Sequence, residues 1–197
     1  LGLHLTPAQQ AAFQLYYENL VAWNQKFNLT AITEYEQVQI RHFLDSLSCL
    51  LAAETRQALS QPQPRMLDMG TGAGFPGVVW KIARPAWHVV LFERKERLAV
   101  FLGRTVALLG LKGIEVRGED ASLYTPERPF DVVTSKAAGR LGEIIPVAER
   151  LLRPGGLYVT VKGDRWEAEM EGARRFSIAR RAPLEGSGGE AVSLRFT

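Results

Sequence analysis

The chain has 197 residues, 46% of them hydrophobic, enough to bury a core without metal or disulfide support, and no apolar run approaches the ~20 residues of a membrane span. One cysteine, Cys49, excludes an intrachain disulfide framework and a multi-cysteine zinc site and fits a reducing, cytoplasmic setting; no leader peptide is expected either. The net charge of +3 divides into 3 basic against 5 acidic side chains over residues 1–60 and 21 against 16 over residues 61–197, so the basic portion suits a polyanionic partner.

The first 60 residues read as a helical extension. Thr6-Pro7-Ala8-Gln9 is a helix start, with Thr6 as cap, proline at the first helical position and Gln9 able to close a capping box. Phe13, Tyr16, Tyr17, Leu20 and Trp23 then recur at three- and four-residue steps. Asn28-Leu29-Thr30 breaks the pattern. A second capping box is expected at Thr33-Glu34-Tyr35-Glu36, ahead of an apolar face of Val38, Phe43, Leu44, Leu47, Leu50 and Leu51. Ser60-Gln61-Pro62-Gln63-Pro64 is a polar connector.

Residues 65–197 are expected to form the one domain that carries this extension. Strand-like runs at Arg65–Met69, Val89–Glu93, Ile114–Arg117, Phe130–Thr134 and Leu157–Lys162 alternate with helical stretches to about Ala83, from about Lys95 to Leu109, and over Glu143–Leu152. Apolar strands alternating with helices predict a mostly parallel α/β sheet covered on both faces. Phe176–Arg181 and Val192–Phe196, joined by Gly186-Ser187-Gly188-Gly189, predict an antiparallel hairpin at the sheet edge.

The stretch Met66-Leu67-Asp68-Met69-Gly70-Thr71-Gly72-Ala73-Gly74-Phe75-Pro76-Gly77 carries the chemistry. It follows a strand and opens a helix, the context in which a glycine loop approaches a nucleotide. Gly72 to Gly77 also satisfies the dinucleotide pattern, and Glu93, at the end of the next strand, could bond the ribose of NAD or of S-adenosylmethionine. Three features favour S-adenosylmethionine as cofactor. Asp68 ahead of Gly70 resembles the acidic methyltransferase signature. Gly118-Glu119-Asp120-Ala121 follows the third strand, where methyltransferases hold adenine. Leu152-Arg153-Pro154-Gly155-Gly156 resembles a late turn of the same Rossmann-like class I fold. No metal ligand set is expected.

The loop closely resembles that of the bacterial small-subunit rRNA guanine-N7 methyltransferases, first named glucose-inhibited division protein B. Asn28-Leu29-Thr30-Ala31, Arg41-His42-Phe43-Leu44-Asp45-Ser46-Leu47, the block from Phe130 to Ala137 and Pro154 to Gly163 are similar to further blocks of that family, over about residues 13–163. The resemblance implies methyl transfer to N7 of a guanine in the decoding-region loop of 16S rRNA within the small ribosomal subunit, by a monomer. It implies cofactor contacts at Gly70 and Phe75, with Asp120 and Ala121 on the adenine side; the loop and strand-end positions add Asp68, Gly72, Gly74 and Glu93, and Lys136, which is expected to contact the cofactor carboxylate or a phosphate of the RNA. It also implies that Asn28, His42 and Lys136 position the reactants, with Thr30, Asp45 and Ser46 beside them. Two positions depart from the family, Lys136 and Glu119, where arginine is usual. Lysine keeps the charge of arginine but not its planar fork. Guanine N7 carries no proton, so no general base is expected; Phe75 and Trp80 are candidates to stack on the target base.

Overall fold

The computed structural model describes residues 2–54, 59, 62–136, 139–162, 176–183 and 190–196, the last two segments and Lys162 by backbone apart from Leu194. Ser60, Gln61, Ala137, Gly163 and the Gly186–Gly189 turn lie outside the described residues.

Helix α1 spans Pro7–Phe27 and starts as its sequence dictates: Thr6 and Gln9 form a reciprocal capping box, with Pro7 in the first turn. It ends at Asn28, which takes the left-handed conformation at φ 45. The second start differs from expectation. Glu34, not Thr33, caps helix α2 (Tyr35–Val38), its carboxylate accepting the N–H groups of Glu36 and Gln37. A π-helical segment, Gln39–Leu44, then leads into α3 (Asp45–Glu54).

The sheet contains β1 (Arg65–Met69), β2 (His88–Phe92), β3 (Ile114–Arg117), β4 (Phe130–Lys136), β5 (Leu152–Lys162), β6 (Phe176–Pro183) and β7 (Glu190–Phe196). Its order is β3-β2-β1-β4-β5-β7-β6, with β1 to β5 parallel and β7 running antiparallel to both β5 and β6. The expected hairpin is therefore present, with β7 inside it and β6 on the edge. Strand β5 starts earlier than expected: Leu152 already pairs with Phe130, and the ladder shifts register before Leu157 meets Val132. Gly156 allows the close approach there, since a Cβ would sit 2.9 Å from the carbonyl oxygen of Arg153.

Helices α4 (Gly77–Ala83), α5 (Glu96–Leu108) and α6 (Leu141–Leu151) complete the layers. Strand side chains alternate between two cores. Met66, Val89, Leu91, Val132, Leu157 and Val159 pack with α1, α3, α4 and α5. Leu67, Met69, Val90, Phe92, Val133 and Tyr158 pack under Leu141, Ile144, Ile145, Ala148 and Leu151 of α6. Each such fully buried side chain contributes roughly 1.5–3 kcal/mol. The N-terminal helices share the first core, and Arg84 closes that side by a bidentate pair with Glu54 of α3 at 2.5 and 2.7 Å.

Candidate cofactor cleft

A cleft of about 480 Å³ opens at the carboxyl ends of the parallel strands, on the face covered by α6. Met69 ends β1 and Gly70 follows it; Phe92 ends β2 and Glu93, Arg94 and Lys95 follow it; Glu119 to Ser122 follow β3; Glu143, Ile144 and Val147 belong to α6. Strand order reverses between β1 and β4, where an open parallel sheet leaves room for a ligand. The volume lies within the range of small-molecule sites.

The cleft walls are held by the chain itself. Glu93 is only 6% exposed, yet both carboxylate oxygens are engaged: one accepts from the N–H of Gly72 at 2.9 Å, the other from that of Lys95 at 2.8 Å. Asp120 caps a 3-10 turn, Ala121–Leu123, by accepting from the N–H of Ser122 at 2.8 Å, and that bond holds its carboxyl below the usual range. Gly70 has φ 64, a conformation that favours glycine where the loop leaves β1.

Of the expected cofactor residues, Gly70, Glu93, Asp120 and Ala121 come together in this cleft. Gly72 is half-buried just behind it, on Glu93. Asp68, Gly74, Phe75 and Lys136 lie elsewhere, beneath the loop on the opposite face. Alternation explains Asp68 and Lys136. Asp68 shares the face of Met66, and Lys136 that of Val132, so both side chains turn toward the N-terminal helices.

Asp68 is fully buried; one oxygen accepts from the Thr71 hydroxyl at 2.6 Å and from the Gly77 N–H at 2.8 Å, while the other has no hydrogen-bond partner. Burial pushes its carboxyl up to about 7, against the two hydrogen bonds, which lower it. Gly77 must be glycine here, because a Cβ would sit 2.9 Å from that same carboxylate oxygen. Gly74, at φ 104, leaves room for Tyr16, whose hydroxyl would lie 2.5 Å from a Cβ and donates to the carbonyl of Ala73. Phe75 is 6% exposed and stacks with both His42, at 4.3 Å and 13°, and Tyr16, at 5.4 Å and 27°.

The N-terminal motifs meet around that stack. His42 Nε2 lies 3.2 Å from the Thr30 hydroxyl, and Thr30 is itself anchored by Asn24. Burial, with the Lys136 charge second, lowers His42 to about 4, so its ring is neutral at pH 7. Ser46 turns its hydroxyl back to the carbonyl of His42. Lys136 donates to the carbonyl of Arg41, within the π-helical segment, and its ammonium lies 3.8 Å from buried Asp45. Burial lowers Lys136 below the ordinary lysine range, partly offset by Asp45. Asn28 is exposed at the end of α1. Trp80 is not available to a base: it is fully buried and donates to the carbonyl of Ser46 at 2.7 Å.

Sequence reasoning missed the α6 wall, Glu143, Ile144 and Val147, because that helix comes to the cleft from the far side of β4. It also missed Arg94 and Lys95, although their place directly after β2 was a usable signal. Among the described residues no cluster of His, Cys, Asp and Glu is placed to hold a metal, and no helix is long and apolar enough to cross a membrane.

The family model for rRNA small subunit methyltransferase G matches residues 9–183. Ribosomal RNA small subunit methyltransferase G of Dehalococcoides mccartyi (strain CBDB1) is 38% identical over 179 residues, covering 88% of this chain and 73% of the relative. The Chromobacterium violaceum protein of the same name is 39% identical over 165 residues, covering 83% and 75%. Among solved structures, a SAM-dependent methyltransferase from Aquifex aeolicus superposes with a TM-score of 0.62 at 16% identity, covering 83% of this chain and 94% of that one, a likeness of fold.

Proposed function

The chain belongs to the rRNA small subunit methyltransferase G family, and from that premise we propose that it transfers the methyl group of S-adenosylmethionine to N7 of a guanine in the decoding-region loop of 16S rRNA. The observation that carries the cofactor side is the cleft at the ends of β1, β2 and β3. There a fixed carboxylate, Glu93, and the capped turn at Asp120 and Ala121 stand opposite the α6 wall. That donor set fits an adenosine with a short charged tail: acceptors for hydroxyl groups, backbone for the base edge and apolar Ile144 and Val147 against its faces.

When bound, S-adenosylmethionine supplies an electrophilic methyl group on a sulfonium leaving group. The residues of this chain have to bring guanine N7 into line with it and keep water out. N7 already presents a lone pair, so no side chain need remove a proton, and proximity and orientation can supply roughly 7–11 kcal/mol. His42 fits a positioning role: neutral, engaged by Thr30 and stacked on Phe75, it shapes the loop from below rather than carrying a proton. Lys136 and Asn28 act on the same side, Lys136 by fixing the Arg41 carbonyl and Asn28 by ending α1. Asp68, Gly72, Gly74 and Phe75 contribute through the shape of the loop. In this reading residues 1–60 form a helical extension that braces the loop, and residues 65–197 form the cofactor-binding unit. The enzyme works as a monomer in the cytoplasm, on the small ribosomal subunit or its RNA.

The test is methyl transfer from labelled S-adenosylmethionine to unmodified 30S subunits, with mapping of the modified base. Label on N7 of one decoding-region guanine is the expected result; label elsewhere, or none, overturns the substrate assignment.

A further inference from the structure

The cofactor cleft has two walls from distant parts of the chain. One is the segment Glu119–Ser122 after β3, the other the α6 residues Glu143, Ile144 and Val147. Between them runs Arg150, in the last turn of α6. Its guanidinium donates to the carbonyl of Tyr124 at 2.5 Å and to that of Ser122 at 2.5 Å, with a longer contact of 3.4 Å to that of Ala121. A 3-10 turn leaves its last carbonyls without partners from its own backbone. The Ala121–Leu123 turn is therefore capped twice, by Asp120 at the amino end and by Arg150 at the carboxyl end. Only arginine presents several donors in a fixed plane that can span carbonyls of one turn at once. The ring of Tyr124 adds to the lock, lying 4.6 Å beneath the Arg117 guanidinium and 5.0 Å from Phe92, which lines the cleft.

We propose that Arg150 is a positioning residue for cofactor binding, which pins the adenosine-side turn at Ala121–Tyr124 to the α6 wall and so sets cofactor affinity without touching the reacting atoms. The proposal rests on the assignment of this cleft to S-adenosylmethionine. Arg150 itself is absent from the cleft lining, so it acts through the carbonyls it holds. Loss of the clamp lets the turn sample other conformations, and binding then has to select the ordered one.

The experiment compares the whole chain with its Arg150→Met and Arg150→Lys variants, using calorimetric titration with S-adenosylhomocysteine, steady-state methyl transfer to 30S subunits, and hydrogen exchange at residues 121–124 without cofactor. Arg150→Met should raise the cofactor Kd and KM about tenfold while kcat at saturating cofactor stays within about twofold, and amide exchange in the turn should accelerate. Arg150→Lys, which can reach one carbonyl but not the fork, should fall between. Unchanged Kd and exchange in Arg150→Met, or a fall in kcat with Kd unchanged, overturns the proposal. Should Arg150→Met fail to fold, Arg150→Lys carries the same Kd-against-kcat test. A wild-type chain that binds no S-adenosylhomocysteine would instead remove the cofactor assignment beneath it, a separate result.

Discussion

The carboxylate of Glu93, at the end of β2, accepts the backbone N–H of Gly72 at 2.9 Å, so the acid that faces the cleft also fixes the glycine loop leaving β1. The first prediction follows from this double duty. Glu93→Gln places an amide NH₂ against one of two backbone N–H donors, because only one of its two heads can accept. Cofactor KM should rise at least tenfold, and stability should fall by roughly 1–3 kcal/mol, the cost of leaving a buried polar group unsatisfied. Urea denaturation and cofactor titration on the same sample check both.

His42 offers a separation of stacking from hydrogen bonding. Its ring lies flat on Phe75 and its Nε2 faces Thr30. His42→Phe should keep most of the stability and cofactor binding, whereas His42→Ala should lose both, with a cavity cost of roughly 2–4 kcal/mol. Since the imidazole is neutral down to about pH 4, the methyl-transfer rate should show no inflection from it between pH 6 and 9. An inflection abolished by His42→Phe would show that the ring carries a proton after all.

Lys136 is tied to the Arg41 carbonyl and to Asp45 rather than turned to the cleft. Lys136→Met should therefore destabilise the chain, by roughly 1.5–3 kcal/mol for a bond to a charged group. With the ammonium engaged by these two internal partners, the dependence of RNA binding on salt concentration should not change. A lower salt slope would place the ammonium on the RNA.

Asp68 carries the pH dependence. Its folded carboxyl titrates near 7, above the ordinary carboxylate value, in surroundings that include Tyr16, Glu93 and Lys136 together with the Thr71 and Gly77 donors. Between the two values the folded chain holds a proton that the unfolded chain has lost, so this contribution is complete at low pH and fades as pH rises through 7. Asp68→Asn cannot titrate. The stability of the variant minus that of the wild type should therefore increase from pH 4 to pH 8, gaining about 1.4 kcal/mol per pH unit across the interval between the unfolded and folded titrations. A difference that stays flat with pH would show that Asp68 is ionised in the fold.

The sequence made the architecture legible, because apolar strands, capped helices and a glycine loop in strand–helix context are local signals. The cleft was half legible. Gly70, Glu93, Asp120 and Ala121 sit directly after strands, where position alone determines exposure to a ligand. Asp68 is marked by a signature acid and Lys136 by a strand end, and both signals give the place along the chain but not the face of the sheet, which strand alternation sets toward the N-terminal helices. Phe75 and Gly74 were obscured because their partners, His42 and Tyr16, come from the N-terminal helices. The π-helical segment at Gln39–Leu44 has no apolar period of its own that distinguishes it from α-helix, and the Arg150 clamp depends on two elements that only the fold brings together.

The stack of Phe43, Tyr16, Phe75 and His42, closed by the Tyr16 hydroxyl on the Ala73 carbonyl, joins the first helices to the glycine loop through buried contacts. Such contacts break together rather than one at a time. The loop amides of Gly74 and Phe75, whose N–H groups bond the Thr71 carbonyl, should therefore exchange slowly and open only when α1 lifts away. In folding terms α1 and the loop are one foldon, and a chain trimmed of its first 27 residues would keep the strands that carry the cleft but lose the shape of the turn that closes it.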